Sequence, residues 1–198
     1  MMIQRLAIQF VAAVALCLHG GFLSSSECRA EEIRFTSVPD IFNWNISNPQ
    51  PGWEETLDWF FDRLQKEGPD FTLNAGDIMD ARWWDDEAQV NRNTDEYWNG
   101  FMKRLYDRGR TVYVAPGDHE YGDDGGLKIG HIARVFGEQF TRLMGMPVNG
   151  PAGHLGSTFS VRKGNLLLIT LDTFEDQGDR FGYTVGKEQL AWLEETFK

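Results

Sequence analysis

Cysteine is scarce in this chain, and membrane-spanning runs are missing. Of 198 residues only Cys17 and Cys28 are cysteines, and both lie near the N-terminus. The longest apolar run, residues 6–18, is too short and too interrupted for a transmembrane helix. Internal repeats, low-complexity tracts and linkers are also missing from the sequence, and its length suits one domain with a real core.

Residues 1–30 have the layout of a secretory signal peptide. A short basic start with Arg5 precedes the apolar run, and Cys28-Arg29-Ala30 is a small-residue cleavage pattern. We therefore expect a secreted or periplasmic protein that begins near Glu31, spans residues 31–198 and has no stable membrane anchor. Both cysteines would be removed, so a metal would have to be held by oxygen and imidazole.

Basic residues are too few to balance the acidic ones. The chain has 30 Asp and Glu against 19 Lys and Arg, which gives a formal net charge of −11. A protein this acidic is not expected to bind nucleic acid through a general phosphate-backbone attraction.

Hydrophobic periodicity predicts an α/β fold. Predicted strands at residues 33–38, 71–75 and 111–115 alternate with two amphipathic helices, which is the pattern of a parallel sheet with flanking helices. The first helix should stop at Gly68-Pro69, and a loop is predicted over residues 80–94. A further helix near residues 132–143, a hairpin of residues 158–162 and 165–171, and a last helix ending near Phe197 complete the prediction.

An aspartate follows each of the three predicted parallel strands. These residues are Asp40, Asp77 and Asp118, and the last two each follow a glycine. Because parallel strands end at the same edge of a sheet, we expect the three carboxylates on that edge, where open α/β sheets bind ligands. Carboxylates that converge there can hold a hard or borderline metal ion.

His119 and Asp80 lie next to this acidic group. A carboxylate that accepts from one imidazole nitrogen would orient the ring so that the other nitrogen can donate a proton. The alternative is that each Gly-Asp is an ordinary turn or helix N-cap. Two such turns with polar residues just beyond them favour a metal-dependent hydrolase.

Two motifs carry a resemblance to a known family. They are Gly76-Asp77-Ile78-Met79-Asp80 and Gly117-Asp118-His119-Glu120. The first matches the Gly-Asp-x-x-Asp of the calcineurin-like metallophosphoesterases, particularly the branch that includes purple acid phosphatases. The second matches their Gly-Asn-His-Glu with Asp in place of Asn. The predicted hairpin and last helix resemble the segments before the family's second set of metal ligands.

The resemblance implies a layered sheet with flanking helices and hydrolysis of a phosphate mono- or diester by a two-metal mechanism. The ions would be iron, manganese or zinc, and the substrate a small phosphoester. Asp77 would bridge the two ions and Asp118 would bind the second ion. Asp40 would be the first residue of the site that holds the first ion. His119 would be the catalytic imidazole, oriented by Asp80.

The sequence departs from the family pattern in two further places. The first motif, usually Asp-x-His, is Asp40-Ile41-Phe42, and Phe42 cannot bind a metal. The later ligands, a lone His and then Gly-His-x-His, do not occur before Lys198. We therefore expect the chain to hold an N-terminal, C-terminally truncated part of the family domain.

Two other functions stay open at this point. The chain could be a truncated, inactive family member that binds at most one metal ion. It could instead be an exported acidic module that holds calcium in the loop at residues 121–126 and contacts glycan through its tryptophans. The remaining histidines, His131 and His154, are expected to be solvated rather than ligands.

Overall fold

The computed structural model describes residues 32–40, 50–78 and 86–198. The predicted signal peptide, Asp80 and the Asp-x-His position at Phe42 lie outside these residues. The helices and strands are, in chain order, β1 (Phe35–Ser37), α1 (Trp53–Glu67), β2 (Phe71–Asn74), α2 (Glu87–Asp107), β3 (Val112–Val114), a 3-10 helix (His119–Tyr121), α3 (Asp123–Leu127), α4 (Gly130–Met144), β4 (Phe159–Lys163), β5 (Leu166–Thr170), β6 (Phe174–Asp176), β7 (Phe181–Tyr183) and α5 (Lys187–Thr196).

The predicted α/β architecture is confirmed. Strands β1, β2 and β3 form a parallel sheet in that order, and helices α1 and α2 connect them. Helix α1 ends at Gly68, which has a left-handed φ of 63° and whose N–H donates to the carbonyl of Gln65. The glycine therefore stops the helix where the sequence predicts.

The first part of α2 was predicted as loop, and this prediction is wrong from residue 87 onward. Asp86 is the N-cap, and its side chain accepts from the N–H of Gln89. The first turns of the helix carry few apolar residues, so no hydrophobic periodicity marks them. Val90 and Thr94 are nevertheless fully buried, and the packing of these two positions places the segment in the helix.

The C-terminal part contains one predicted hairpin and one that was not predicted. Strands β4 and β5 pair antiparallel around Gly164, which has a φ of 53°. Strands β6 and β7 form a second antiparallel pair of three residues each. Such short strands give too few alternating positions for a period-2 pattern to be recognised.

The central sheet is covered on both faces. Val112 and Val114 of β3 join a core formed mainly by α1, α2 and α4. Phe71 and Leu73 of β2 pack on the opposite side against Leu168 of the β4–β5 hairpin. The molecule is therefore layered as helices, parallel sheet and hairpin, with the carboxyl ends of the three parallel strands at one edge.

Residues 121–126, considered above as a calcium-holding loop, are largely helical. They form the end of the 3-10 helix and most of α3. Tyr121 is buried, with its ring 5.1 Å from both Phe174 and Phe181. This aromatic packing, which comes from residues 53 and 60 positions further along the chain, orders the segment. Among the described residues no helix has the length and apolar character to cross a membrane.

Candidate metal centre

The site lies at the carboxyl edge of the parallel sheet. Asp40, Asp77 and Asp118 follow β1, β2 and β3 respectively. Asp40 and Asp77 have positive φ values of 49° and 55°. Aspartate tolerates this left-handed region better than most residues, and unusual backbone conformations are concentrated at functional sites.

The two Gly-Asp turns touch each other through their backbones. A Cβ atom on Gly76, which has a φ of 95°, would lie 2.1 Å from the backbone nitrogen of Gly117. A Cβ atom on Gly117 would lie 2.1 Å from Oδ1 of Asp77. Both glycines are therefore needed so that the aspartate of the first turn can reach the second turn.

Asp77, Asp118 and His119 form the candidate metal-binding group. Each offers a ligand atom, and these atoms lie within 4.8 Å of one another. The backbone N–H of His119 also donates to Oδ1 of Asp77 at 3.3 Å, which ties the third residue to the first. Carboxylates with an imidazole are donors that iron, manganese and zinc accept, so the residues fit a metal ion.

Negative charge is concentrated around Asp77. Burial, together with the neighbouring charges of Glu120 and Asp118, raises the pKa of its carboxyl to about 9. The backbone N–H of His119 opposes this rise. The arrangement places carboxylates close together where a bound cation would offset their repulsion.

The structure brings together three of the five site residues predicted from the sequence. Asp40 follows β1 at the same edge, and its charge contributes to the raised pKa of Asp77. Its carboxylate is exposed and does not belong to the group within 4.8 Å that the described residues form. Asp80 lies outside the described residues, so its predicted contact with His119 stays a prediction.

Glu120 was not predicted as part of the site. Its side chain is fully buried and accepts three backbone hydrogen bonds, from Asp77, Ile78 and Gly117. Burial raises the pKa of this carboxyl, and the three backbone donors lower it. The available signal was its place in the Gly-Asp-His-Glu motif, directly after the predicted imidazole.

Asn74, the last residue of β2, is a second missed residue. Its Nδ2 donates to the carbonyl of Val38 at 2.8 Å, and its Oδ1 accepts from the N–H of Gly76 at 2.9 Å. The side chain thereby links the end of β1 to the first Gly-Asp turn. A buried polar residue in an apolar strand was the sequence signal for this role.

His154 belongs to a second charged cluster, and its predicted solvation is wrong. Only 9% of the residue is exposed. Its Nδ1 lies 3.6 Å from Oδ2 of Asp172, and its Nε2 lies 3.4 Å from Oε2 of Glu175. The interaction with Asp172 is the main cause of a raised His154 pKa, which burial opposes. His131, in contrast, is exposed as predicted.

Asp172 connects this cluster to the 3-10 helix that carries His119. The hydroxyl of Tyr121 donates to Oδ2 of Asp172 at 2.5 Å. The backbone N–H of Asp172 donates to Oε1 of the fully buried Gln189 in α5. The turn after β5 is thus fixed both to the neighbourhood of the metal centre and to the last helix.

Comparison with known proteins gives one family. The family model described as calcineurin-like phosphoesterase matches residues 17–196, and this match begins within the predicted signal peptide. No curated protein and no solved structure matches the chain. The matched region includes both Gly-Asp turns, the β4–β5 hairpin and α5. The chain therefore belongs to the calcineurin-like phosphoesterase family.

Proposed function

We propose that this protein is a metal-dependent hydrolase of a phosphate mono- or diester. The observation that carries the proposal is the convergence of Asp77, Asp118 and His119 within 4.8 Å at the carboxyl edge of the sheet. Open α/β sheets bind ligands at this edge. Membership of the calcineurin-like phosphoesterases adds the chemistry, since it assigns metal-dependent phosphoester hydrolysis to this kind of site.

The carboxylates would hold the metal ions. We propose a two-metal centre in which Asp77 would serve both ions, Asp118 would hold one and Asp40 would contribute to the other, with iron, manganese or zinc as the ions. Bound ions of this kind polarise a phosphoryl oxygen and lower the pKa of water. Burial is the main cause of the raised pKa of Asp77, and the further rise caused by the charges of Glu120, Asp118 and Asp40 supports its central place among the carboxylates.

His119 would supply the proton for the leaving oxygen. It lies beside the carboxylates of Asp77 and Asp118, so its imidazole is next to the place where a phosphoester would meet the metal centre. An imidazole can carry a proton near neutral pH and release it in the transition state. Asp80 is proposed to orient the ring.

The branch and the location of the protein are proposed from the sequence. The Gly-Asp-x-x-Asp and Gly-Asp-His-Glu motifs, with no histidine in the first motif, favour the branch that includes purple acid phosphatases. The basic start, apolar run and cleavage pattern of residues 1–30 favour export. Mass spectrometry of the exported protein should find an N-terminus near Glu31, and retention of Met1 would contradict export by cleavage.

A protein that binds one ion without turnover is the second candidate. The group within 4.8 Å in the described residues has three members, and three ligands are enough for one metal ion with solvent in its remaining positions. Metal content together with hydrolysis distinguishes the two functions. One ion bound per chain, with no hydrolysis of phosphomonoesters or phosphodiesters, would favour this candidate.

Metal binding is tested with two aspartates of similar backbone conformation. Asp77 and Asp123 have φ values of 55° and 64°, so alanine strains the backbone similarly at both. Asp77→Ala should lose most of the bound iron, manganese or zinc by elemental analysis, whereas Asp123→Ala should keep it. Equal metal content in the two variants would contradict the assigned site.

Catalysis is tested by hydrolysis of an aryl phosphate and an aryl phosphodiester with added manganese or iron. His119→Ala should lower kcat by about 100-fold or more, which is the usual contribution of a general acid. His131→Ala is the control, because His131 is exposed on α4. Unchanged turnover in His119→Ala would contradict the proposed role of His119 as the proton donor.

A further inference from the structure

The side chain of Glu120 joins the two Gly-Asp turns by accepting hydrogen bonds from their backbone N–H groups. Its Oε1 accepts from the N–H of Ile78 at 2.9 Å. Its Oε2 accepts from the N–H of Asp77 at 2.7 Å and from the N–H of Gly117 at 2.8 Å. Two of these donors belong to the turn after β2 and the third belongs to the turn after β3.

We propose that Glu120 is a positioning residue for the metal centre. Its carboxylate sets the separation of the two turns, and this separation brings the carboxylate of Asp77 to the carboxylate of Asp118 and the imidazole of His119. Glu120 itself is not a member of the group within 4.8 Å. The inference rests on the proposed metal site, although the three hydrogen bonds can be tested without metal.

The geometry requires both the length and the two oxygens of a glutamate. Of the three partners of Glu120, Asp77 and Ile78 are 43 and 42 residues away in sequence, whereas Gly117 is 3 residues away. No local structure therefore holds all three together. Glutamine has one acceptor oxygen and one NH₂ group. In Glu120→Gln the NH₂ group would take the place of one carboxylate oxygen and would face a backbone N–H, which is also a donor. Aspartate keeps the charge but is shorter by one methylene.

The close backbone contact of the turns explains why a strong acceptor is needed there. Gly76 and Gly117 approach so closely that no side chain fits between them. The N–H groups of Ile78 and Gly117 are buried and that of Asp77 is half-buried, and they need an acceptor because an unpaired buried donor is costly. The fully buried carboxylate of Glu120 satisfies all three at once.

The first experiment measures amide hydrogen exchange by NMR in metal-free protein. The amides of Asp77, Ile78 and Gly117 should be protected in the wild type and should exchange at least tenfold faster in Glu120→Gln. The amide of Leu105, in the helical core near the start of β3, should be unchanged. Absence of protection in the wild type would overturn the proposal without any variant.

The second experiment measures the dissociation constant for Mn²⁺. Glu120→Gln and Glu120→Asp should both bind Mn²⁺ at least tenfold more weakly than the wild type. Because Glu120→Asp keeps the charge, its weakening separates position from electrostatic attraction. Leu105→Ala is the control for general destabilisation, since Leu105 is buried near the opposite edge of the sheet, and it should keep wild-type affinity.

The outcomes separate this inference from the proposed function. Wild-type Mn²⁺ affinity in Glu120→Asp, or equal weakening in Leu105→Ala, would overturn the positioning role and leave the metal site intact. A wild-type protein that binds no Mn²⁺, iron or zinc would refute the proposed function and the positioning role with it. Loss of Mn²⁺ affinity and of amide protection in the Glu120 variants alone would support both.

Discussion

Replacing Gly76 with alanine should separate the two Gly-Asp turns. The new Cβ would lie 2.1 Å from the backbone nitrogen of Gly117, 2.6 Å from its Cα and 2.8 Å from Oε2 of Glu120. Optimal non-bonded contacts are about 3.5–4.0 Å, so the turns would have to move apart by roughly 1 Å or more. Neither neighbour is the end of a flexible side chain that could simply rotate away, because Glu120 is itself held by three backbone donors.

The expected cost has two parts. A left-handed backbone costs a residue with a Cβ atom about 1–2 kcal/mol. Overpacking adds about 1–3 kcal/mol, so Gly76→Ala should destabilise the fold by roughly 2–5 kcal/mol. Gly178 has the same φ of 95° but nothing within 4 Å of the added Cβ. Gly178→Ala should therefore show only the first part.

The assay is urea unfolding of both variants and the wild type, followed by Mn²⁺ titration of the folded proteins. Gly76→Ala should be less stable than Gly178→Ala by about 1–3 kcal/mol, with similar m-values. It should also bind Mn²⁺ at least tenfold more weakly, because a site that moves by about 1 Å loses its ligand geometry. Equal stability and equal Mn²⁺ affinity in the two variants would refute the close contact of the turns.

Two further predictions concern the buried polar residues. The pKa of His154 is raised in the folded state by Asp172 and Glu175. Protonated His154 therefore stabilises the fold fully below the unfolded pKa of about 6.5, and this stabilisation is lost as the pH rises through the pKa of the folded state. His154→Gln should therefore be most destabilising at acidic pH in urea unfolding, and a deficit that grows with pH would contradict this ion cluster. Asn74→Leu leaves the buried N–H of Gly76 and the half-buried carbonyl of Val38 without their side-chain partner, so it should lower the free energy of unfolding by about 2–4 kcal/mol. A change under about 0.5 kcal/mol would contradict the role of Asn74 at the strand end.

The sequence by itself determined the parts of the fold that depend on neighbours along the chain. Leu57 and Phe61 are one helical turn apart, and both are buried in α1 as their spacing predicts. The Gly-Asp pairs mark the ends of two strands. At the first pair, Gly76 and Asp77 both have positive φ values, which a glycine and an aspartate allow. Parallel pairing then places both aspartates at one edge, which predicts the metal centre before any contact is known.

Only the tertiary structure decided which distant polar groups meet. Glu120 accepts from the backbone of Asp77, 43 residues earlier, and His154 lies between Asp172 and Glu175. No periodicity in the sequence encodes such pairs, since each depends on how two loops are brought together by the packing of the strands and helices between them. The physical reason is that burial makes an unpaired polar group costly, and the partner that satisfies it is fixed by the completed fold.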